Sequence, residues 1–219
     1  MILQKMKDLG FNPSSVLDVG ANKCQWAYPC REIFPDAKYF LIEPQREMIP
    51  YLYDFCGSED AYFCAAAGRQ NGECLLTIWK DRLGSSVLPQ KGYIFEEGDR
   101  AEQRIVSLVS VNSLIQNKKI EAPQLAKLDV QGFEIDVLLG GSLLFDSCEA
   151  IILEVSFFEF LKRQPQFPEI ISFMEQRNFV PYDIFNFLPR PIDGAVGQCD
   201  ICFVKKTGLF RKSHRWNPI

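Results

Sequence analysis

The stretch that decides the fold is Val16-Leu17-Asp18-Val19-Gly20-Ala21-Asn22, a short apolar run that ends in Asp-x-Gly. Val16–Val19 is predicted to be a buried strand, and a helix is predicted from about Gln25 to Phe34, where Pro35 stops it. In an open α/β sheet, ligands bind beyond the carboxyl ends of the strands. A strand that ends in Asp-x-Gly and leads into a helix therefore brings a carboxylate and a glycine to a ligand crevice.

Apolar runs alternate with helix-period segments along most of the chain, which is typical of a parallel sheet wrapped by helices. We therefore predict an α/β fold with a mostly parallel seven-stranded sheet and helices on both of its faces. The strands of this sheet are expected at residues 16–19, 39–42, 61–65, 126–130, 151–155, 180–184 and 201–204. Two further runs, Leu75–Trp79 and Ile105–Val111, predict an extra β-hairpin excursion around Gly84-Ser85-Ser86.

Length and charge narrow the class of protein. A chain of 219 residues is long enough for one α/β domain and too short for two ordinary ones. We expect a single domain over 1–219, with its core at about 14–205 and a basic, solvated tail at 206–219. The net charge of −4 gives no electrostatic reason to expect a nucleic acid as partner. Met1–Gly10 lacks the features of a secretory signal, and no run approaches the ~18 apolar residues of a membrane span, so a cytoplasmic protein is expected.

The eight cysteines are expected to be reduced thiols. Cys199 and Cys202 have CxxC spacing, but they fall on a predicted strand, where residues three apart point to opposite faces. His214 is the only histidine, so no second pair of ligands completes a zinc site.

Asp18 distinguishes between the nucleotide-like ligands that such a crevice could hold. Dinucleotide sites use Gly-x-Gly-x-x-Gly so that the pyrophosphate can lie on the helix N-terminus. Here the loop has one glycine and a carboxylate, which would repel a pyrophosphate in a crevice of low dielectric constant. The same carboxylate suits a ligand with an ammonium and a sulfonium group, and S-adenosylmethionine is such a ligand.

Glu43 ends the next strand, 25 residues after Asp18. An acidic side chain at this place can bind both ribose hydroxyls of an adenosine. A dehydrogenase would use the same carboxylate, so Glu43 indicates an adenosine ligand without choosing its class.

A second cluster of candidate residues lies in Lys127-Leu128-Asp129-Val130-Gln131-Gly132-Phe133-Glu134. A charged residue at the end of a buried strand is costly unless it is paired or functional. Asp129 is therefore expected to project into the crevice across from Asp18, with Glu154 in a similar position on the following strand. Glu134 could cap the next helix or face the substrate, and Lys127 could pair with one of the acids.

These motifs occur in an order that resembles the FkbM family of methyltransferases. The resemblance covers about Val16 to Phe158, and its most specific part is Asp129-Val-Gln-Gly-Phe-Glu134. The other matching motifs are Val16–Asn22, Ile42-Glu43-Pro44, Gly84-Ser-Ser86, Leu138-Leu-Gly140 and Leu153-Glu154-Val155. One position departs from the pattern, because Cys24 replaces the glycine that is usual four residues after Gly20.

The resemblance implies a class I, Rossmann-like fold and O-methylation of a hydroxyl on a sugar, a glycan or a natural product. We expect Ser85 and Ser86 on the substrate side. The expected cofactor contacts are Asp18, Gly20, Ala21, Asn22, Glu43, Pro44, Ala65, Ala66 and Asp129. A hydroxyl acceptor must lose a proton, and because His214 lies in the tail, a carboxylate is expected as the base. Asp129 is the first candidate, followed by Glu134 and Glu154.

Several alternatives stay open from the sequence. Asp129 and Glu154 could bind Mg²⁺, but more oxygen ligands would be needed than can be assigned, so a metal is not favoured. The segment Thr77–Arg104, with Trp79, Tyr93 and Phe95, is either an acceptor-side lid or a structural hairpin. The aromatic residues of Phe157–Phe160 form either the wall of an acceptor pocket or part of the core.

Two rival functions also stay open. A nicotinamide-dependent oxidoreductase would need the glycine-rich loop that this chain lacks. A non-catalytic S-adenosylmethionine-binding module would keep the fold without turnover, since a fold does not establish a function. The sequence leaves the acceptor and the oligomeric state undetermined.

Overall fold

The computed structural model of the chain describes residues 2–80, 82, 84–89 and 101–217. The described strands are β1 (Ser15–Val19), β2 (Lys38–Ile42), β3 (Ala61–Phe63), β4 (Ala66–Ala67), β5 (Gly72–Ile78), β6 (Glu102–Val109), β7 (Leu125–Leu128), β8 (Ala150–Ser156), β9 (Phe179–Pro189) and β10 (Val196–Lys205). The described α-helices are α1 (Ile2–Asp8), α2 (Ala27–Ile33), α3 (Ile49–Phe55), α4 (Val111–Gln116), α5 (Glu134–Leu139), α6 (Leu144–Ser147) and α7 (Phe167–Glu175). Short 3₁₀ turns occupy Arg46–Met48 and Leu209–Arg211.

Seven strands form one sheet in the order β3-β2-β1-β7-β8-β10-β9. The five strands from β3 to β8 in this order pair in parallel, and β10 pairs antiparallel with both β8 and β9. The prediction of a mostly parallel, seven-stranded sheet is therefore confirmed. Because β1, β2, β7 and β8 run parallel, their carboxyl ends lie at one edge of the sheet. The strand order changes sides between β1 and β7, and ligands of such sheets bind at this point.

Alternating side chains of the central strands enter two separate cores. Val16 packs in the core on one face of the sheet, and its neighbour Leu17 packs in the core on the other. Buried residues of α1, α2 and α3 complete the first core, and those of α4 to α7 complete the second. The prediction of helices on both faces is confirmed, and it explains why these parallel strands are almost continuously apolar.

A second sheet of three strands, in the order β4-β6-β5, lies outside the main one. β5 and β6 pair antiparallel over seven residue pairs, as the predicted hairpin excursion requires. The predicted third strand, 61–65, is too long. It ends at Phe63, because the Ala65 N–H binds the Phe63 carbonyl 3.0 Å away and the chain then crosses to the second sheet at Ala66.

The segment after the last strand is only partly solvated. The Phe210 side chain is buried against Phe11 and Tyr182, with ring centroids 5.4 and 5.5 Å apart. The expectation of a solvated tail was thus wrong at this position, because Phe210 is an aromatic residue that packs in the core that contains α1, α2 and α3. Cys199 and Cys202 lie in the cores on opposite faces of the sheet, as the strand periodicity predicts. Among the described helices, none has the length and apolar character needed to cross a membrane.

Candidate active site

A cavity of about 280 Å³ lies at the carboxyl ends of β1, β2, β7 and β8. We call it the first cavity. Its lining includes these residues that were predicted from the sequence: Asp18, Gly20, Ala21, Asn22, Glu43, Pro44, Ala65, Ala66, Ser85, Ser86, Asp129 and Glu154. The fold therefore brings together residues as distant in the chain as Asp18 and Glu154, because each lies near the carboxyl end of a strand and these ends share one edge of the sheet.

Gly20 joins the loop after β1 to the loop after β7. Its φ of +82° favours glycine, and a Cβ at this position would overlap with the Asp129 carbonyl oxygen. The Gly20 N–H binds the Ile42 carbonyl at 2.8 Å, and the Asp129 N–H binds the Val19 carbonyl at 2.9 Å. The loops that follow β1 and β7 are thereby fixed against each other.

Cys24 also has a left-handed backbone, with a φ of +60°. This conformation explains why the related pattern has glycine at this position. The Cys24 side chain is fully buried in the core that contains α2, and its Sγ lies 3.7 Å from the Tyr51 carbonyl. It does not line the first cavity.

Asp18 is almost completely buried, with 2% of its surface exposed, and still lines the first cavity. Its Oδ2 has no hydrogen-bond partner among the described residues. Burial raises the pKa of this carboxyl to about 7, with Lys127 acting in the opposite direction and Asp129 and Glu43 adding to the rise. A buried carboxylate oxygen without a partner is costly, so a donor or a positive charge from a ligand would stabilise it.

Glu43 is held by the backbone on both sides of its carboxylate. Oε1 accepts the Gln45 N–H at 2.9 Å, and Oε2 accepts the Asn22 N–H at 3.0 Å. Burial raises the pKa of Glu43, while these two hydrogen bonds act to lower it. Each carboxylate oxygen has two lone-pair sites, so Glu43 can also accept hydrogen bonds from a pair of ligand hydroxyls.

The buried ammonium group of Lys127 pairs with two carboxylates. Its Nζ lies 3.2 Å from Asp129 Oδ2 and 3.2 Å from Asp200 Oδ1, which confirms the expected pairing with an acid. Burial alone would lower the pKa of Lys127, but Asp129, Asp200 and Glu154 raise it above its usual value. Asp200 is itself held by Asn186, whose Nδ2 donates to Oδ2 at 2.7 Å. The Asp129 side chain keeps 37% of its surface exposed.

The Gln131 amide lies between two carboxylates. Its Nε2 donates to Asp129 Oδ1 at 2.9 Å and to Glu154 Oε2 at 2.7 Å. Gln198 Nε2 also donates to Glu154 Oε2, at 3.0 Å. Burial raises the pKa of Glu154, and the negative charge of Asp129 raises it further. The amide thus separates two acids that would otherwise repel each other.

Glu134 does not line the first cavity, so the structure does not place it where a catalytic base would act. Its Oε1 accepts the backbone N–H groups of Val130 and Gly132, at 3.2 and 3.1 Å. The carboxyl turns inward because these N–H groups precede α5 and have no partner within that helix. Burial raises the pKa of Glu134 to about 7.

The described residues of the segment 79–89, which we call the strap, pass over the first cavity. The Arg82 carbonyl accepts Asn22 Nδ2 at 3.0 Å and Gln45 Nε2 at 3.1 Å, and Arg82 Nη1 pairs with Glu47 at 3.1 Å. Ser86 Oγ donates to the Gln131 carbonyl at 2.8 Å. The strap is therefore fastened to the loops after β1, β2 and β7.

The two serines of the strap differ. Ser86 Oγ is engaged with the Gln131 carbonyl, and it also accepts the Leu88 N–H at 3.0 Å. Ser85 Oγ is buried in the lining of the first cavity without a partner among the described residues. Of the pair, Ser85 is thus the one whose hydroxyl can still donate a hydrogen bond to a ligand. Tyr93 and Phe95, which the sequence also suggested for a lid, lie outside the described residues.

A second cavity, of about 380 Å³, adjoins the first one at Gln131, which lines both. Its other described lining residues are Trp79, Gly84, Phe160, Leu161, Gln164 and Gln198. Phe160 thus faces a cavity, as one of the two interpretations of this aromatic run requires. Phe157 instead stacks on Phe167, with centroids 4.9 Å apart, and packs against a core.

The first cavity also has lining residues that sequence reasoning missed: Gln25, Trp26, Gln45, Ala67, Leu76 and Val87. Gln131 and Phe133, which belong to the second candidate cluster but were given no role, line it as well. Gln45 directly follows Pro44, so its position after a strand end was a usable signal. Leu76 comes from the second sheet, and nothing local to its sequence indicates which cavity that sheet borders. In the part of the chain that the structure describes, no group of three or more His, Cys, Asp or Glu side chains is arranged to hold a metal ion.

The fold and the site together define a class of protein. A main sheet in the order β3-β2-β1-β7-β8-β10-β9, with a cavity at the ends of β1 and β2, is the class I methyltransferase arrangement. The family model described as "Methyltransferase FkbM domain" matches residues 18–181, which is most of the chain. The chain therefore belongs to the FkbM methyltransferase family.

Solved structures agree with this fold. N-methyltransferase NodS from Bradyrhizobium japonicum WM9 is 6% identical, with 93% of this chain and 94% of that chain covered and a TM-score of 0.50. A chain of the fibrillarin/Nop5p complex is 10% identical, with 88% and 72% covered and a TM-score of 0.50. At such low identity these similarities concern the fold alone. No protein of curated function matches the sequence.

Proposed function

We propose that this methyltransferase transfers the methyl group of S-adenosylmethionine to a hydroxyl group of a small molecule or glycan. The first cavity would hold the methyl donor, and the whole chain 1–219 would act as one methyltransferase domain. The proposal rests on family membership and on the charge of the cavity.

The charge of the first cavity is the observation on which the choice of ligand depends. Its described lining contains four acidic side chains, of Asp18, Glu43, Asp129 and Glu154, and one ammonium group, of Lys127. Such a cavity favours a cation and disfavours a pyrophosphate. S-adenosylmethionine has a positive sulfonium and a positive ammonium group, whereas a nicotinamide dinucleotide has two linked phosphates.

The residues have separate tasks in this proposal. Asp18, with its unpartnered Oδ2, would bind a positive group of the donor, and Glu43 would accept the ribose hydroxyls. Gly20, Ala21, Asn22, Pro44, Ala65 and Ala66 would supply the walls. When bound, S-adenosylmethionine supplies a methyl group on a good leaving group, so the protein mainly has to position the acceptor and remove its proton.

Asp129 is the base that we propose. It is partly exposed in the cavity, and Lys127 holds its carboxylate at 3.2 Å. Glu154 lies beside it, but burial and the charge of Asp129 raise its pKa, which disfavours a base role near neutral pH. Glu134 is taken up by backbone N–H groups and is therefore not favoured as a base. His214 lines neither cavity.

A binding experiment tests the choice of ligand. Isothermal titration calorimetry of the purified protein is expected to show binding of S-adenosylmethionine and of S-adenosylhomocysteine, and no heat with NADH. Binding of NADH together with no binding of S-adenosylmethionine would support the oxidoreductase and refute our proposal.

A metal is not required in this proposal. The positions between and beside Asp129 and Glu154, which a cation would occupy, already hold the Gln131 amide and the Lys127 ammonium group. Turnover is therefore expected to be the same, within about twofold, after treatment with EDTA and desalting. A loss that added Mg²⁺ restores would contradict this expectation.

The nature of the acceptor atom and turnover itself need a product assay. Methyl transfer from labelled S-adenosylmethionine to a panel of alcohols and amines would separate O-methylation from N-methylation, which is the activity of the NodS protein. Cofactor binding without methylated product across a broad panel would favour the non-catalytic module.

A further inference from the structure

Residues of the strap line both cavities. Ser85, Ser86 and Val87 line the first cavity, whereas Trp79 and Gly84 line the second one. Gln131 is the described residue that the two linings share. Because Gln131 Nε2 binds Asp129 Oδ1 at 2.9 Å, a group in the second cavity that took the place of this amide would come within reach of Asp129.

The described lining of the second cavity is uncharged. It contains the aromatic side chains of Trp79 and Phe160 and the amides of Gln131, Gln164 and Gln198, and no charged side chain. The lining of the first cavity, by contrast, includes four acidic side chains and one lysine. Amides donate and accept hydrogen bonds, and aromatic rings offer apolar faces, so this lining suits an uncharged ligand with both hydroxyl groups and an apolar face.

The three glutamine side chains of the second cavity differ in how many hydrogen bonds they already make. Gln164 is buried and both ends of its amide are hydrogen-bonded, because its Oε1 accepts the Phe160 and Leu161 N–H groups and its Nε2 donates to Ser156 Oγ at 2.8 Å. It holds the wall on which Phe160 lies. Gln131 and Gln198 instead donate toward Glu154. Each also has an amide carbonyl oxygen that can accept a hydrogen bond from a ligand hydroxyl.

On the basis of the proposed function, we propose that the second cavity binds the acceptor as an uncharged, polyhydroxylated ring, and that the acceptor's reacting hydroxyl displaces the Gln131 amide from Asp129. The hydroxyl then donates its hydrogen bond to Asp129 Oδ1, which the Gln131 Nε2 occupies in this structure. Its proton passes to the Asp129 carboxylate as its oxygen forms the new bond to the methyl carbon and the carbon–sulfur bond of the donor breaks. Gln131 is thus a positioning residue and Asp129 the catalytic one.

Gly84 allows this cavity to be filled without disturbing the first one. It lines only the second cavity, and a Cβ there would meet its nearest neighbour, Trp79 Cδ1, at an ordinary distance of 3.7 Å. Gly84→Leu should therefore fold and still bind S-adenosylhomocysteine. Gly57→Leu is a matched control, because Gly57 is exposed and a Cβ there has similar room, 3.5 Å from Asp60 Oδ2.

The test measures binding by saturation-transfer NMR on protein loaded with S-adenosylhomocysteine. The probes are the methyl glycosides of glucose, galactose, mannose and fucose, together with methyl glucuronide and glucose 6-phosphate as anionic counterparts. At least one neutral glycoside is expected to bind, with the anions at least tenfold weaker. Gly84→Leu is expected to weaken the neutral glycoside at least tenfold, and Gly57→Leu to leave it unchanged.

Each other outcome has a distinct meaning. If S-adenosylhomocysteine binds but no neutral glycoside does, the inference is overturned and the proposed function stands. Equal binding of the glycoside to wild type and Gly84→Leu would place it outside the second cavity, and preferred binding of an anion would refute the uncharged class. If S-adenosylhomocysteine itself fails to bind to the wild type, both proposals fail.

Discussion

Asp18→Asn is expected to weaken the binding of S-adenosylmethionine by about 100-fold at pH 8. The variant keeps the size of the side chain and removes its negative charge in a buried place, where losing one partner of a charge pair costs at least about 2–3 kcal/mol. Calorimetric titration with S-adenosylmethionine measures this directly. Asp136→Asn is a suitable control, because Asp136 pairs with Arg69 outside the first cavity.

The pH dependence of binding gives an independent check on Asp18. Its pKa of about 7 means that the carboxyl is largely protonated at pH 6, and a cationic ligand favours the ionised form. The affinity of the wild type should therefore rise as the pH increases from 6 to 8, by up to about tenfold per pH unit below the pKa. Asp18→Asn should abolish most of this rise. A variant whose affinity stays within threefold of the wild type at pH 8 would refute the assignment of Asp18.

The same substitution should stabilise the protein without ligand. A carboxyl group whose pKa is higher in the folded state than in the unfolded state lowers the stability of the fold when it ionises. For Asp18 this loss of stability develops as the pH increases from the pKa of the unfolded state, near 4, to that of the folded state, about 7. At pH 8 this cost is fully present in the wild type and absent in Asp18→Asn. The free energy of unfolding of the variant is thus expected to be higher by up to about 4 kcal/mol, because each of the roughly three pKa units corresponds to about 1.4 kcal/mol. If Asp18→Asn is more stable than the wild type and binds S-adenosylmethionine weakly, the weak binding is not caused by misfolding.

Asp129→Asn is expected to lower the rate of methyl transfer by at least about 100-fold, the usual contribution of a general base. Binding of S-adenosylhomocysteine should stay within about threefold, because the asparagine side chain can still accept from the Gln131 amide and the backbone that faces Gly20 is unchanged. The measurement is kcat with any acceptor that the wild type methylates, next to a calorimetric titration. Unchanged kcat would exclude Asp129 as the base.

Glu154→Gln distinguishes the two neighbouring acids. Because burial and Asp129 raise the pKa of Glu154, this side chain is expected to keep its proton near neutral pH, and glutamine has nearly the same shape and polarity. Its kcat should fall far less than that of Asp129→Asn. A larger loss in Glu154→Gln than in Asp129→Asn would transfer the base role to Glu154.

The positions of Asp18, Glu43, Asp129 and Glu154 could be predicted because each acid lies at or beside the end of a strand of a parallel sheet. All such ends meet at one edge, so the order of apolar runs alone brings the four side chains together. The direction of a carboxyl within a loop is a different matter. Glu134 follows the same strand as Asp129, but the N–H groups of Val130 and Gly132 turn it inward.

Contacts between distant segments could not be predicted for a similar reason. Lys127 pairs with Asp200 because β10 runs antiparallel to β8, with Asp200 opposite Glu154. Nothing in the local sequence of β10 fixes that register. The bridge from Gln131 to both acids depends on a left-handed backbone at Gln131, with a φ of +52°, which sequence patterns assign to glycine and not to glutamine.

The close approach of Gly20 to Asp129 restricts how this protein can be recombined with its relatives. Because the Asp129 carbonyl fills the space of a side chain at position 20, each loop is shaped by the backbone path of the other. A chimera that imports the segment after β1 from another methyltransferase, while retaining the native segment after β7, would place mismatched surfaces in contact. Directed evolution of new activities on this scaffold should therefore exchange these two segments as a pair.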